Sequence, residues 1–448
     1  MTKRSIVAGV IPYLLAPALS VLTSMAATPA APQPSRPPFY TPAPQPPVQR
    51  LAPPVQAQLQ KALTEYFAAS ADAQAHWTFA PQLDRLLRKN ERAVRQMAWD
   101  AYRAAPIHSA SKADFTARQV QFEKYLSAYT LKTVGTRPSN GWPLIIALHG
   151  GGGAPKELND SQWQMMQIYY LDHPELGGYQ YLALRAPNDT WNGFYDDYVY
   201  PLVTNLIRQQ LLFNDIDPNK VFLIGYSHGG YGAFAIGPKM PDRFAAVHAS
   251  ASAPTDGETS AKTLRTTPFS VMVGSNDTMY GRLERDQKFA ALVAGLRGSR
   301  TDIYPVTVDV KAGYGHGGLP DRDEIVEMYA ETRNPVPREI TWEMTDTVIR
   351  DFYWLHTDEP GKNREIDAVC RNNQVTVTTM GAVTGASILL DSRLVDFARP
   401  VILELNGKKT QFTVSPHLKT LCETLLRRGD PDLAFTAQVD LATGTGHP

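Results

Sequence analysis

One stretch decides the fold: Lys220-Val-Phe-Leu-Ile-Gly-Tyr-Ser-His-Gly-Gly-Tyr-Gly-Ala-Phe-Ala235. Its apolar start, Val221–Ile224, is typical of a buried strand, and Gly225-Tyr226-Ser227-His228-Gly229 follows at once. A run of small, helix-compatible residues then continues to Met240. Strand, G-x-S-x-G and helix in this order predict a tight turn that exposes the Ser227 hydroxyl above the edge of a parallel sheet. A simple glycine-rich loop is the alternative for the five-residue pattern alone.

The composition is that of an ordinary soluble protein. The chain has 448 residues, of which 43% are hydrophobic and 20% charged, and its 44 basic and 44 acidic residues cancel. The length leaves room for a catalytic domain and a smaller one. The zero net charge gives no indication of a nucleic-acid partner.

The N-terminus has the pattern of an export signal. Two basic residues precede the apolar run 6–22, and the small-x-small triplet Ser24-Met25-Ala26 follows it. We therefore predict a signal peptide at 1–26 and a secreted or periplasmic mature protein without a membrane span. The alternative is an uncleaved anchor, which Pro12 and Pro17 disfavour because proline interrupts a spanning helix.

A proline-rich segment and a helical extension are predicted next. Residues 29–54 hold 11 of the 35 prolines, so 27–54 is interpreted as a polyproline-type linker. Apolar residues at helical spacing predict an N-terminal helical extension over 55–127. A group of basic residues lies among them: Arg85, Arg88, Lys89, Arg92 and Arg95. Membrane or nucleic-acid contact is one interpretation of this group, and a solvated helix face is the favoured one.

Strands alternate with helices over 128–357, which predicts an α/β catalytic domain with a mostly parallel sheet and helices on both faces. His149-Gly150-Gly151-Gly152-Gly153 directly follows the buried strand 143–148. Such a run leaves backbone N–H groups free to face a reacting carbonyl oxygen. A phosphate-binding loop is the competing interpretation, but Lys156 does not have the required spacing.

Three residues have the order that serine catalysis needs. Ser227, Asp277 and His316 each follow a different predicted strand, in the order nucleophile, acid, base. Asp277 would orient the imidazole of His316, which would accept the serine proton. Asp256 is the alternative acid. The ring of His228 is expected to project away from the hydroxyl, so its backbone N–H is the part expected to matter.

The loop after strand 181–186 contains an aromatic group formed by Trp191, Phe194 and Tyr195. A substrate-binding wall and core packing under the loop are equally compatible with this pattern.

These segments resemble the α/β-hydrolase superfamily, and within it the secreted serine esterases of the polyhydroxybutyrate depolymerase and feruloyl or acetylxylan esterase type. The resemblance covers less than half of the chain and rests on the following segments: 143–153, 216–221, 225–230, 241–246 and 315–317. It implies Ser227 as nucleophile, Asp277 as acid and His316 as base. The backbone of Gly150, Gly151 and His228 would form the oxyanion hole. Two departures are Gly274-Ser275-Asn276-Asp277, where many relatives have a His-Gly-x-x-Asp-like run, and the long N-terminal extension.

The C-terminal part, 358–448, has a different sequence pattern from the segments before it. Short β-rich runs and the turn Asn406-Gly407 predict a small β-sandwich-like domain, interrupted by a helix at 418–428. Polymer binding and a purely structural role are both open, the latter slightly favoured. Cys370 and Cys422 either pair or remain free thiols. No zinc site and no cofactor are predicted.

The prediction for function is a serine hydrolase of carboxylic esters that forms an acyl-enzyme, acting on polysaccharide-linked or polyester-type esters. Its partner would be a small-molecule or polymer ester. Two alternatives are a non-catalytic binding protein on a hydrolase scaffold and a serine peptidase of the prolyl-oligopeptidase type, although no propeller-like repeats precede the serine motif.

Overall fold

The fold is described from a computed structural model, which covers residues 34–45, 47–381, 383–444 and 446–447. The predicted signal peptide at 1–26 lies outside the described residues and stays a prediction. Within the described ranges, no helix is long and apolar enough to cross a membrane.

A central sheet of eight strands organises the molecule. Its strands are β1 Gln119–Phe122, β2 Tyr125–Gly135, β3 Trp142–Leu148, β4 Gly178–Leu184, β5 Ile216–Tyr226, β6 Ala246–Ser250, β7 Phe269–Gly274 and β8 Val306–Lys311. They lie in the order β1-β2-β4-β3-β5-β6-β7-β8. Strands β3 to β8 are mutually parallel, whereas β1 and β2 are antiparallel at one edge. The carboxyl ends of the parallel strands therefore meet along one edge of the sheet.

Helices cover both faces of this sheet. The α-helices of the described residues are α1 Pro53–Ala68, α2 Ala71–Ala75, α3 Pro81–Lys89, α4 Glu91–Arg103, α5 Ser109–Thr116, α6 Lys156–Tyr169, α7 Val199–Phe213, α8 His228–Lys239, α9 Arg282–Arg297, α10 Glu324–Tyr329 and α11 Leu418–Arg428. Successive side chains of a strand point to opposite faces. In β3, Leu144 and Ile146 pack with α7 and α8, whereas Ile145 and Ala147 pack with α6 and α10. The predicted α/β architecture, a mostly parallel sheet with helices on both faces, is confirmed.

Two further sheets form the predicted C-terminal β-sandwich. Their strands are β9 Glu339–Met344, β10 Asp351–Phe352, β11 Leu355–Thr357, β12 Arg364–Arg371, β13 Gln374–Met380, β14 Ala386–Leu390, β15 Val401–Leu405, β16 Lys408–Phe412, β17 Ala437–Asp440 and β18 Gly446–His447. The orders are β10-β11-β14-β17-β18 and β16-β15-β13-β12-β9. Side chains from both sheets, among them Trp342, Val375, Leu355 and Ile388, fill one shared core.

The sheets extend across the domain limits predicted from the sequence at 127/128 and 357/358. The division into domains remains a prediction. Strand β1 begins at Gln119 and already belongs to the central sheet. Strand β9 pairs antiparallel with β12 and so belongs to the C-terminal sandwich. Part of the predicted linker also lies against the body, since the backbone N–H groups of Ser35 and Phe39 donate to Glu327 of α10 and to Glu331, which follows it.

Helix α11 connects the C-terminal part to the rest of the molecule. Its buried residues Leu421 and Leu425 belong to the same core as the N-terminal helices and one face of the central sheet. Cys422 is a buried free thiol in this helix, and Cys370 is a buried free thiol in the sandwich. The pairing that the sequence left open is therefore not made.

Buried ion pairs reinforce this junction. Arg428, at the end of α11, pairs with Asp242, and both side chains are almost fully buried. Arg333 forms a second buried pair with Asp430 at 2.6 Å. Carboxylates this deeply buried are strongly disfavoured without a cationic partner.

Replacing Arg428 with Met should destabilise the whole protein by about 3–5 kcal/mol, because it leaves the buried Asp242 carboxylate without its direct ion-pair partner. Chemical denaturation monitored by tryptophan fluorescence measures the change. The control is Lys288→Met, which removes a solvent-exposed pair with Glu284 and should change stability little. Equal stability of the Arg428 variant and the control would contradict the prediction.

Candidate active site

Ser227 lies at a sharp turn between β5 and α8. Its backbone has φ 55° and ψ −117°, a conformation that side-chain-bearing residues rarely adopt. The flanking glycines are required by space: a Cβ on Gly225 would lie 2.1 Å from the Gly229 carbonyl oxygen, and one on Gly229 would lie 2.1 Å from that of Leu148. The turn therefore has the geometry of a nucleophile elbow.

Ser227, His316 and Asp277 form one hydrogen-bonded chain. The Ser227 Oγ lies 3.0 Å from the His316 Nε2, and the His316 Nδ1 lies 2.8 Å from the Asp277 Oδ2. Because the carboxylate accepts the Nδ1 proton, Nε2 is left to accept the proton of the serine hydroxyl. These three are the side chains that the sequence assigned as catalytic.

The topology explains how these residues meet. Ser227 follows β5, Asp277 follows β7 and His316 follows β8, and these strands end at the same edge of the sheet. The Asp277 side chain is 1% exposed, whereas that of His316 is 44% exposed. The Tyr226 hydroxyl donates to the backbone carbonyl of His316 and so holds the loop that carries the imidazole.

Asp256, the alternative acid, lies elsewhere. Its side chain is 92% exposed and pairs with Arg285 at 2.6 Å. The carboxylate oxygen beside His316 Nδ1 is the Oδ2 of Asp277. This contact supports Asp277, and not Asp256, as the predicted acid.

Arg282 also contacts Asp277, and nothing in the sequence identified it as a residue of the site. Its Nη1 donates to the Asp277 Oδ1 at 2.7 Å, and its Nε donates to the Tyr231 hydroxyl at 3.1 Å. The guanidinium also lies over the ring of Tyr280, 5.0 Å from the ring centre. Asp277 is thus held between a cation and the imidazole, which makes Arg282 a candidate positioning residue for the predicted acid.

Replacing Arg282 with Gln should lower kcat/KM by about 10–100-fold, the range for losing a charge-assisted hydrogen bond. The loss should appear in kcat with little change in KM, because Arg282 contacts Asp277 and not the ester; steady-state rates on an aryl acetate measure both parameters. The control is Arg285→Gln on the same helix, whose ion-pair partner Asp256 is exposed, and it should keep kcat close to that of wild type. Equal losses in the two variants would contradict the positioning role.

Asp286 is a second buried carboxyl near the acid. It is fully buried, and neither of its oxygens has a hydrogen-bond partner among the described residues. Burial raises its pKa from 3.8 to about 8, with the nearby charge of Asp277 acting in the same direction and Arg285 opposing it. The carboxyl is therefore protonated at neutral pH in the folded protein.

This raised pKa predicts the direction in which stability changes with pH. Between about pH 4 and 8 the folded state binds one proton more than the unfolded state, so the free energy of unfolding falls as pH rises. Asp286→Asn should remove up to about 1.4 kcal/mol per pH unit of this slope. Denaturation midpoints of wild type and variant across this range measure it, with the exposed Asp309→Asn as control. Parallel curves for wild type and Asp286→Asn would contradict the prediction.

The glycine loop after β3 lies against the nucleophile. A Cβ built on Gly150 would be 3.5 Å from the Cβ of Ser227. The Ala186 N–H donates to the His149 Nε2 at 3.0 Å, so the His149 Nδ1 is the donor to the Gly150 carbonyl at 2.6 Å. This bond holds the loop. Burial lowers the pKa of His149 to about 3, which keeps the ring neutral.

The remaining oxyanion candidates are Gly151 and His228. Asn159 Oδ1 accepts the N–H of Gly152 at 2.8 Å and lies so close to Gly151 that a Cβ there would clash at 2.3 Å. His228 is the first residue of α8, where backbone N–H groups have no acceptor within the helix. Its ring donates from Nε2 to the Trp191 carbonyl, and burial lowers its pKa to about 4.

The aromatic group divides into exposed and buried members. Trp191 is 43% exposed and its ring lies 5.7 Å from that of the exposed Tyr280. Tyr195 is half-buried. Phe194 is fully buried against the rings of His149 and His228. Of the two interpretations left open, substrate binding is therefore wrong for Phe194, which packs in the core beneath the loop, while Trp191 and Tyr280 are exposed and form the rim.

Comparisons with known proteins found similar solved structures, but no protein family and no curated protein matches the sequence. Among solved structures, a thermostable esterase is similar at 19% identity and a TM-score of 0.33, over 48% of this chain and 57% of that one. A ferulic acid esterase matches at 17% identity and 0.33, over 47% of this chain and 95% of that one. A protein from Bacteroides ovatus described as a dipeptidyl aminopeptidase IV matches at 12% and 0.33, over 48% and 36%.

Proposed function

We propose that the protein is a serine hydrolase of carboxylic esters. The observation that carries this proposal is the continuous chain of hydrogen bonds from Ser227 through His316 to Asp277, at a strained turn beside a glycine loop. A scaffold that only binds its ligand has no chemical need for these three groups in contact.

The geometry supports an acyl-enzyme mechanism. Ser227 Oγ attacks the ester carbonyl carbon while His316 Nε2 accepts its proton, and the backbone N–H groups of Gly150, Gly151 and His228 stabilise the oxyanion. His316 then protonates the leaving alcohol as the bond from the carbonyl carbon to the alkoxy oxygen breaks. Water then attacks the acyl carbonyl carbon while the same imidazole accepts its proton. The imidazolium gives that proton to Ser227 Oγ as the bond from Oγ to the acyl carbon breaks, which releases the carboxylic acid.

The openness of the site favours esters carried on a larger molecule. Ser227 is half-buried, and His316 and the rim residues Trp191 and Tyr280 are exposed. We therefore propose polysaccharide-linked or polyester-type esters as the substrate class, and export through the segment 1–26 as the route to them.

A substrate panel tests the proposal. Initial rates are measured on an aryl acetate, acetylated xylan, a feruloylated arabinoxylan fragment and a short hydroxybutyrate oligomer, with a prolyl-peptide anilide as the peptidase probe. The expected result is hydrolysis of the aryl acetate and at least one polymer-type ester, with no release from the anilide. Faster cleavage of the anilide than of every ester would replace the esterase proposal with the peptidase alternative.

A further inference from the structure

A cavity of about 780 Å³ lies in the C-terminal β-sandwich. None of its lining residues belongs to the candidate active site. It is formed by the β12–β13 turn at 371–373, the loop 392–399 between β14 and β15, Arg338 before β9, and Arg88 of α3. Its size falls in the range of about 300–1,000 Å³ typical of small-molecule sites.

Positive charge dominates this cavity although the chain as a whole is neutral. The charged residues of the lining are Arg88, Arg338, Arg371, Arg399 and Asp396. Asp396 pairs with Arg399 at 2.9 Å. Arg371 is 3.3 Å from Glu339, but the same carboxylate also binds Arg265 and Arg300. The carboxylates at the cavity therefore only partly offset its guanidinium groups.

Two of these arginines have no carboxylate partner among the described residues. Arg88 donates from Nη2 to the Ser415 hydroxyl at 2.6 Å, which leaves most of its N–H groups available. Arg338 donates to the backbone carbonyls of Leu394 and Arg393 at 2.5 and 2.6 Å. These bonds fix the Arg338 guanidinium in place without neutralising its charge. Arg88 belongs to the basic group that the sequence placed on a helix face.

The cavity walls are held rigidly. Asn372 and Asn373 both have positive φ, 53° and 62°, as the two central residues of a type I′ hairpin require. The Asn373 amide donates to the carbonyls of Asp396, Arg399 and Pro400, and its oxygen accepts the Asp396 N–H. The turn and the loop opposite it are thereby joined, so the arginines are presented by a preorganised frame.

The other lining groups suit a sugar better than a peptide. Asn372 and Ser392 are exposed and offer an amide and a hydroxyl to ligand hydroxyl groups, and Phe397 offers a half-buried ring. Strands β12 and β13, whose turn forms one wall of the cavity, are each paired on both sides, so neither offers a free edge to which an extended peptide could add.

We propose that this cavity binds a carboxylate-bearing sugar chain, with Arg88 and Arg338 binding the carboxylate groups of uronic acid units. The planar guanidinium fork matches the two oxygens of a carboxylate. Such a site would attach the protein to an acidic polysaccharide, whichever ester the active site hydrolyses.

Isothermal titration calorimetry on the full chain tests this site without using the hydrolytic activity. The probes are trigalacturonate, neutral galactotriose and triglutamate. We expect trigalacturonate to bind, galactotriose and triglutamate to bind at least about tenfold more weakly, and the Trp191→Ala variant to bind trigalacturonate as wild type does. Arg88→Gln and Arg338→Gln should each lower the affinity at least about tenfold.

Arg137→Gln is the matched control, because it removes one partly exposed guanidinium that is paired with Asp215 away from the cavity. Arg88→Gln loses only one contact to Ser415, so its folding, checked by thermal melting, should match that of the control even if Arg338→Gln loosens the loop. Absence of trigalacturonate binding, or unchanged binding in Arg88→Gln, would overturn the site. Equal binding of triglutamate would overturn the sugar as its ligand.

Discussion

Ser227→Ala should abolish ester hydrolysis, with kcat reduced by about 10³-fold or more. The variant keeps every residue that shapes the turn and removes only the oxygen that lies 3.0 Å from His316 Nε2. Without that oxygen no acyl-enzyme forms, and only weak catalysis from the oxyanion donors remains. Rates on an aryl acetate measure the loss, and circular dichroism checks that the fold is intact.

The matched control is Ser161→Ala, which removes the hydroxyl of an exposed serine in α6 that donates to the Leu158 carbonyl. This variant should turn over like wild type. If Ser227→Ala retained near-wild-type turnover in a preparation free of other esterases, the nucleophile would have to be sought elsewhere.

Asp277→Asn is the second large effect, with an expected loss of about 10³–10⁴-fold in kcat and little change in substrate binding. The amide can donate to the imidazole Nδ1 and so favours the tautomer whose Nε2 carries a proton and cannot accept one from Ser227. It also leaves the buried guanidinium of Arg282 facing a neutral group. Steady-state kinetics that separate kcat from KM measure both parts.

Asp256→Asn tests the alternative that Asp256 is the acid. Asp256 is exposed and paired with Arg285, so this variant should keep kcat close to that of wild type. The reverse ranking, with Asp256→Asn inactive and Asp277→Asn active, would show that the acid has been assigned to the wrong loop.

Much of the fold could be predicted because its signals are local. Buried parallel strands appear as short apolar runs, and the predicted buried strand 143–148 lies within β3. The loops that carry Ser227, Asp277 and His316 were identifiable because each follows a different predicted strand. Their assignment as catalytic residues remains a prediction, now supported by the distances between them.

The parts that escaped prediction depend on contacts between distant segments. Nothing in the local pattern of 339–344 shows that β9 pairs with β12, or that α11 completes the main core. The bond from Arg282 to Asp277 is set by how α9 begins after β7, and the pattern of charges along the chain does not reveal it. Phe194 looked like its exposed neighbour Trp191 because the sequence does not show which side of a loop faces solvent.

The most direct measurement is covalent labelling with a fluorophosphonate, followed by peptide mass spectrometry. Reaction with this probe requires a serine oxygen activated by a neighbouring base. The account predicts a single adduct on Ser227 in wild type, and labelling that becomes much slower in Asp277→Asn. Stoichiometric labelling of a different residue, or ester hydrolysis that persists while Ser227 stays unlabelled, would contradict it.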